Sequence, residues 1–374
     1  MRKLWAVAGK ELRQIMRDPL SLLTLIGFPA FMLVLYGYAL NFDVRHVPLA
    51  VQDLDQTRAS RDVVAAFVNS TYFDVSATPG AAEDLTRLLE RRVAKAVLVV
   101  PEGFAADLEA ARTAQVQLLL DGADALTATT VLGYAGAIVS ESNVRVLSRA
   151  LTRAGQRLDA GIAYEPRVYY NPELKSVRFL VPGLIGLIMM LTGVLSTALS
   201  VVREKERGTI EQIRMAPIGS FALIAGKTLP YLALSLFATA FILAMAWGIF
   251  GVEIRGSLLD LLAATLLYLL GALGFGLLIS TLVNTQALAF QIGLLGSLLP
   301  ALLLSGFVFQ IRLMPVWLQV ITHLVPARYY LVILRGIILK GASLRPYWDQ
   351  MGLLALYATL VLGLATVRMR RAER

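Results

Sequence analysis

The chain is 374 residues long, 57% hydrophobic and 16% charged; soluble domains average about 45–50% apolar and about 25% charged residues, so an ordinary soluble fold is excluded and a bilayer is the expected solvent. With no cysteine and only two histidines, His46 and His323, it cannot build a disulfide framework, a thiolate nucleophile, an iron–sulfur cluster, a Cys-based zinc site or a His-rich metal site. The formal charge of +9 does not read as a nucleic-acid surface: residues 43–177 hold 14 Lys+Arg against 17 Asp+Glu, so the basic excess lies in the apolar remainder, where cationic flanks at a cytoplasmic membrane face explain it.

The first predicted element, residues 1–19, is amphipathic. Leu4, Trp5, Ala8, Leu12, Ile15 and Met16 fall on one arc of a helix, with Lys3, Lys10, Arg13, Gln14 and Arg17 opposite. This predicts an interfacial helix lying on membrane lipids at the cytoplasmic surface, with Trp5, Lys10, Arg13 and Arg17 as its marker residues; a plain cytosolic tail is the alternative. A first transmembrane helix over 20–42 follows. Its apolar stretch is longer than a signal-peptide core and has no small-x-small cleavage site, so it reads as a retained anchor.

Residues 43–177 are polar enough, and long enough, for a domain of their own. Strand-like VPLAVQD (Val47–Asp53), Phe73–Ala77, AKAVLVVP and Val116–Gly122 alternate with helical Ser60–Val68, Ala81–Val93, Phe104–Arg112 and Ala125–Leu158, the pattern of a small α/β domain. Thr57 or Ser60 is placed to cap the helix that follows. Asp53 and Asp55 read as a solvated turn, the competing reading being a metal site or an acid–base dyad.

Residues 178–374 supply five further spans, centred on 179–202, 223–250, 258–283, 288–309 and 351–367. The expected fold class is therefore an α-helical polytopic membrane protein with six transmembrane helices and an inserted α/β extracytoplasmic domain, both termini cytoplasmic. Between the second and third spans, residues 203–220 open with the charged string REKERGTIEQ. Glu204, Glu206 and Glu211 alternate with Arg203, Lys205 and Arg207, Gly208 offers a break, and Thr209 with Gln212 reads as a capping box. The string suits docking of a soluble partner, or is a generic charged loop. Residues 306–345 carry Arg312, Arg328 and Arg335 yet fall on the outer side of this topology; they are expected as two short re-entrant helices sheltered by neighbouring spans, the competing topology being a seventh crossing through Tyr329–Leu339, a short run that Arg335 interrupts.

No ionisable residue sits near the middle of any predicted span, where ion-driven transport or intramembrane catalysis needs one. Lys227 and Asp260 lie towards span ends, where they are expected to snorkel or meet water. The GKT of Gly226–Thr228 lacks the earlier glycine of a phosphate-binding loop, Phe221 standing there. Catalytic and metal residues are therefore expected to be absent, and energy must enter from another subunit. Gly183, Gly186, Gly293 and Gly296 permit close helix approach, either in a pathway or in ordinary packing.

REKERGTIEQIRMAPI resembles the cytoplasmic loop of ABC type-2 exporter permeases. Arg167–Ile185, Gly226–Leu232, Leu303–Tyr330 and Leu334–Leu344 are similar to successive blocks of the drug-export branch in the same order, with Gln310 departing where proline is expected. The resemblance implies no cofactor in this chain, ATP and Mg being bound by a cytosolic ABC ATPase dimer that contacts Arg203–Gln212. It implies a second permease subunit, identical or a paralogue, and a periplasmic adaptor. It also implies outer re-entrant helices that include Gly306, Arg312, Met314, Pro315, Trp317, Pro326, Arg328 and Arg335. The expected place is a bacterial inner membrane, with the large domain periplasmic. A membrane-anchored sensor or envelope scaffold is the competing class, and an integral-membrane enzyme is disfavoured by the missing chemistry at depth.

Overall fold

A computed structural model describes residues 2–39, 44–110, 112–123, 125–153, 169–171, 175–208 and 219–372. The chain forms two compact units, one from Phe42–Pro166 and one from Met1–Asn41 with Arg167–Arg374. In order, the elements are α1 (Arg2–Arg17), α2 (Pro19–Leu22), a π-helical turn (Leu23–Gly27) and α3 (Phe28–Ala39). Next come β1 (Val47–Asp53), α4 (Arg58–Val68), β2 (Phe73–Ala77), α5 (Leu85–Glu90), β3 (Ala96–Val100), α6 (Phe104–Glu109), β4 (Gln117–Leu120) and α7 (Ala125–Arg153). The chain then runs through α8 (Ser176–Glu206), α9 (Ser220–Phe250), α10 (Leu258–Leu282), α11 (Gln286–Leu303), α12 (Val316–Ile321), α13 (Pro326–Lys340) and α14 (Trp348–Ala372).

The Phe42–Pro166 unit is a four-stranded sheet in the order β2-β1-β3-β4, parallel except for the β3–β4 pair. The apolar run AVLVV makes β3 fully buried. Side chains alternate across the sheet: Leu49, Val51, Leu98 and Val100 pack with Phe67 of α4, Phe104 of α6 and Val131 of α7, while Ala50, Val97 and Val99 pack with Leu88 of α5. The helix expected over Ala81–Val93 is confined to α5, because Asp84 caps its first turn and Arg92 takes a positive φ just after it. Residues 154–158 of the long expected helix lie outside the described residues.

In the other unit α8 is the central helix. It packs against α3, α9, α10, α11 and α13 and is buried along most of its length. Among the described residues, five helices are long and apolar enough to cross a membrane, or six if the bent α12–α13 pair is one span. The first expected span is not one regular helix: α2, the π-turn and α3 run without a break over Pro19–Ala39, roughly 31 Å at 1.5 Å per residue, and residues 40–42 lie outside the described residues. Pro29 has no N–H for the carbonyl four residues earlier, and the widened turn lies immediately before α3. The fifth expected span stops at Leu303 instead of Phe309. Gly306 turns the chain with φ +80°, and Phe307 folds inward, fully buried. Its ring occupies the space a Cβ at Gly183 would need, and Gly186 likewise faces Leu331, so these two glycines serve packing within the chain.

Candidate functional site

The charged string expected between the second and third spans begins as the last turn of α8, and its side chains fold back onto the protein. Lys205 Nζ donates to the carbonyls of Ser280 and Val283 at 2.5 and 3.0 Å, where α10 ends. Glu206 accepts from the backbone N–H of Gln286 at 2.7 Å, where α11 begins, and from the Gln286 side chain. A cation thus meets a helix's carbonyl end and an anion meets a helix's amide end, each the favourable sign for the helix dipole. Arg203 pairs with Asp18 at 3.0 Å and donates to Gln286 at 3.4 Å. Gly208 ends the helix with φ +70°. Arg207 and Gly208 are exposed. Thr209, Glu211 and Gln212 lie outside the described residues.

Glu204 turns inward. It is 4% exposed, its Oε2 lies 2.6 Å from Lys227 Nζ, and its Oε1 accepts from Lys10. Lys227 also donates to Glu11 at 2.8 Å, and both of those side chains are 2% exposed. The expectation that Lys227 snorkels to water is therefore corrected. An unpaired charge here would cost several kcal/mol, and two carboxylates with two ammonium groups balance it instead. Burial alone would lower the Lys10 ammonium. Its hydrogen bond to Glu204, with the charges of Glu11 and Glu204, outweighs that and holds it above the ordinary lysine value, so the tie persists until strongly alkaline pH.

The face of α1 that meets the protein carries Val7, Ala8, Glu11 and Ile15, so Ala8 and Ile15 of the arc expected on lipid are turned to the protein instead. Trp5, Leu12 and Met16 are exposed, as are Arg13 and Arg17. Lys10 does not stand on the open polar side; it reaches across to α8. Sequence reasoning missed Glu11. The available signal was a lone acid inside the apolar arc, three places from Ala8 and four from Val7. A small apolar cluster of Val7, Val201, Leu223, Ile224, Leu277 and Met369 underlies the contact. Gly226 makes it possible, since a Cβ there would lie 2.8 Å from Val7 Cβ and 3.0 Å from the Leu4 carbonyl oxygen.

The second predicted set sits at the other end of α8. Phe179 and Glu204 are separated by roughly 38 Å of helix at 1.5 Å per residue. Arg335 stacks 3.9 Å from the Phe179 ring centroid and donates to the carbonyls of Gly306 at 3.1 Å and Phe307 at 3.5 Å, pinning the turn after α11 to α13. Pro326 opens α13, which meets the α12 segment at 83°. Arg328 closes that bend, donating to the Gln319 carbonyl at 3.3 Å and to Thr322. Arg312 bonds Gln310 at 2.9 Å, and the Met314 carbonyl accepts from Gln319 at 2.8 Å. Pro315 precedes α12, and Trp317 is 64% exposed. Shelter is therefore uneven: α13 is largely buried, whereas α12 has no buried residue.

In the α/β unit, Asp53 and Asp55 occupy the C-terminal end of β1, beside β3. The helices that follow these two strands, α4 and α6, pack on the same face of the sheet. The strand ends are tied together by their own side chains: Asp55 accepts from Thr57 Oγ1 at 2.6 Å and from the N–H groups of Gly103 and Ala105 at 2.9 and 3.1 Å. Asp53 accepts from Ser60 Oγ at 2.7 Å, and Thr57 with Ser60 forms a capping box on α4. The Thr57 hydroxyl, aided by the backbone N–H groups, holds the Asp55 carboxyl below its ordinary value.

Residues 20–367 match the model of the ABC-2 family transporter proteins. The chain is 34% identical over 341 residues to the probable multidrug ABC transporter permease YbhS of Escherichia coli K12, covering 91% of this chain and 89% of that one. It is 31% identical over 371 residues to the probable multidrug ABC transporter permease YbhR of the same organism, covering 99% of both. It is 23% identical over 395 residues to the linearmycin resistance permease protein LnrN of Bacillus subtilis, covering 98% of this chain and all of that one.

Proposed function

The chain belongs to the ABC-2 family of transporter proteins, as a membrane permease rather than an enzyme, and we propose that it moves amphipathic or hydrophobic, drug-like or lipid-like compounds outward across a bacterial inner membrane. The work is supplied by a cytosolic ABC ATPase dimer that binds ATP and Mg. A second permease subunit, identical or a paralogue, completes the pathway. The chain crosses the membrane six times with both termini cytoplasmic, and the α/β unit lies in the periplasm, where it meets an adaptor. Lipid contacts the exposed apolar residues Trp5, Leu12 and Met16 of α1.

One observation carries this reading. The last turn of α8 is tied by charged side chains to the segment after α1, to the end of α10 and to the start of α11. A partner that displaces residues 207–218 therefore acts on several membrane helices at once. The predicted spans lack a titratable group at mid-depth, which gives an ion gradient nothing to work on. Relatives named as multidrug and linearmycin-resistance permeases support a drug-like cargo.

The test is co-purification with the partner ABC ATPase, comparing the native chain with Arg207→Glu plus Glu211→Arg. Loss of the ATPase from the reversed variant, with the permease still folded, is the expected result. Unchanged assembly and unchanged ATP-dependent efflux would place the contact elsewhere.

A further inference from the structure

A lysine eight residues into an apolar helix is not what packing alone selects. A leucine at 227 would fill the space, and exchanging buried ion clusters for apolar side chains is frequently neutral or stabilising. The cluster therefore needs a reason beyond stability, and its geometry supplies one. Lys227 on α9 contacts Glu11 on α1 at 2.8 Å and Glu204 on α8 at 2.6 Å, while Lys10 on α1 also reaches Glu204. Three elements distant in sequence thus share two carboxylates and two ammonium groups. Beside the Lys10–Glu11 pair within α1 at 3.4 Å, each buried charge has a partner on another element, so sliding any one helix past the others would break an ion pair. Gly226 brings α1 to van der Waals contact beside the lysine, which leaves no room for a looser fit.

We propose that Lys227 is a positioning residue for transport: it locks the start of α9 to α1 and to the last turn of α8, so that a push on the segment after α8 moves all three as one body. This rests on the reading that a partner ATPase acts on that segment. The helix α1 is then a moving part of the transmission as well as a membrane anchor. The ties of Lys205 and Glu206 carry the same displacement to the turn between α10 and α11.

Because the chain has no cysteine, spin labels can be placed singly. Cysteines replacing exposed Trp5 on α1 and Phe237 on α9 report the α1–α9 distance; a pair at Trp5 and Leu360 on α14 reports motion of α1 against the rest of the bundle. Both pairs are measured in the permease–ATPase complex, without nucleotide and trapped with ATP and vanadate. The native complex is expected to shift the Trp5–Leu360 distance on trapping while the Trp5–Phe237 distance stays single and constant. Lys227→Met alone strands two carboxylates and risks misfolding. The charge-balanced pair Glu11→Gln with Lys227→Met leaves Lys10 and Glu204 to neutralise each other. In that double variant the Trp5–Phe237 distance is expected to broaden and the nucleotide-driven Trp5–Leu360 shift to disappear while the ATPase stays bound. A native Trp5–Phe237 distance that changes on trapping, or a double variant that behaves like the native chain, overturns the joint. Failure of the native chain to bind the ATPase at all overturns the functional reading on which the joint rests.

Discussion

At the scale of single residues, the decisive side chains are Glu11, Glu204 and Lys227, each almost fully buried. Removing one member of a buried ionic cluster leaves an uncompensated charge and costs about 3–5 kcal/mol. Lys227→Met is therefore expected to lower the melting temperature of the detergent-solubilised protein well below that of the Glu11→Gln/Lys227→Met pair. Equal melting temperatures for the two would mean that water reaches the site. Asp55 gives a pH prediction. Its folded pKa is depressed below the ordinary 3.8, so its stabilising contribution is present above that value and is lost as pH falls through the folded pKa. The thermal stability gap between native protein and Asp55→Asn should be full at neutral pH and close in strong acid; a gap independent of pH would contradict the hydrogen bonds assigned to that carboxylate. The sequence displayed the charges but not their destinations. Lys227 stands near the start of an apolar run, so snorkelling was the economical expectation, and its two partners lie 216 and 23 residues away in the chain. Glu11 interrupts the apolar arc of α1, and an acid on such a face points to a buried cation.

At the scale of elements, local rules carried most of the reading. Apolar run length located α8, α9, α10, α11 and α14, and strand periodicity located all four strands, because both signals are written in neighbouring residues. What failed was set by distant contacts. The end of α11 depends on Phe307 finding the space beside Gly183, and the face of α1 depends on what α9 offers it. Gly226 gives an element-scale prediction: Gly226→Leu should lift α1 away, raising amide exchange across residues 2–17 several-fold by mass spectrometry while exchange across α13 is unchanged. Equal protection of α1 in both proteins would show that α1 does not need this close approach. At the far end, Arg335→Leu removes the donors that hold the Gly306 and Phe307 carbonyls. It is expected to quicken exchange in the turn after α11, and unaltered exchange there would remove Arg335 from its pinning role.

At the scale of the whole molecule, the account joins a bundle without mid-depth titratable groups among its predicted spans to a charged hub at one end. That arrangement suits a machine driven from outside its own chain. The family resemblance was legible because several blocks recur in order, and the family match over residues 20–367 agrees with it. The span count was less legible, since a π-turn interrupts the first helix and the α12–α13 pair is bent, features that only packing decides. The most direct measurement uses inverted membrane vesicles containing the permease with or without the ATPase, with uptake of a panel of amphipathic cationic dyes followed on adding ATP, before and after an uncoupler collapses the proton gradient. The account predicts uptake that requires the ATPase and ATP and persists with the gradient collapsed. Uptake by the permease alone, driven by the gradient and abolished by the uncoupler, would contradict it.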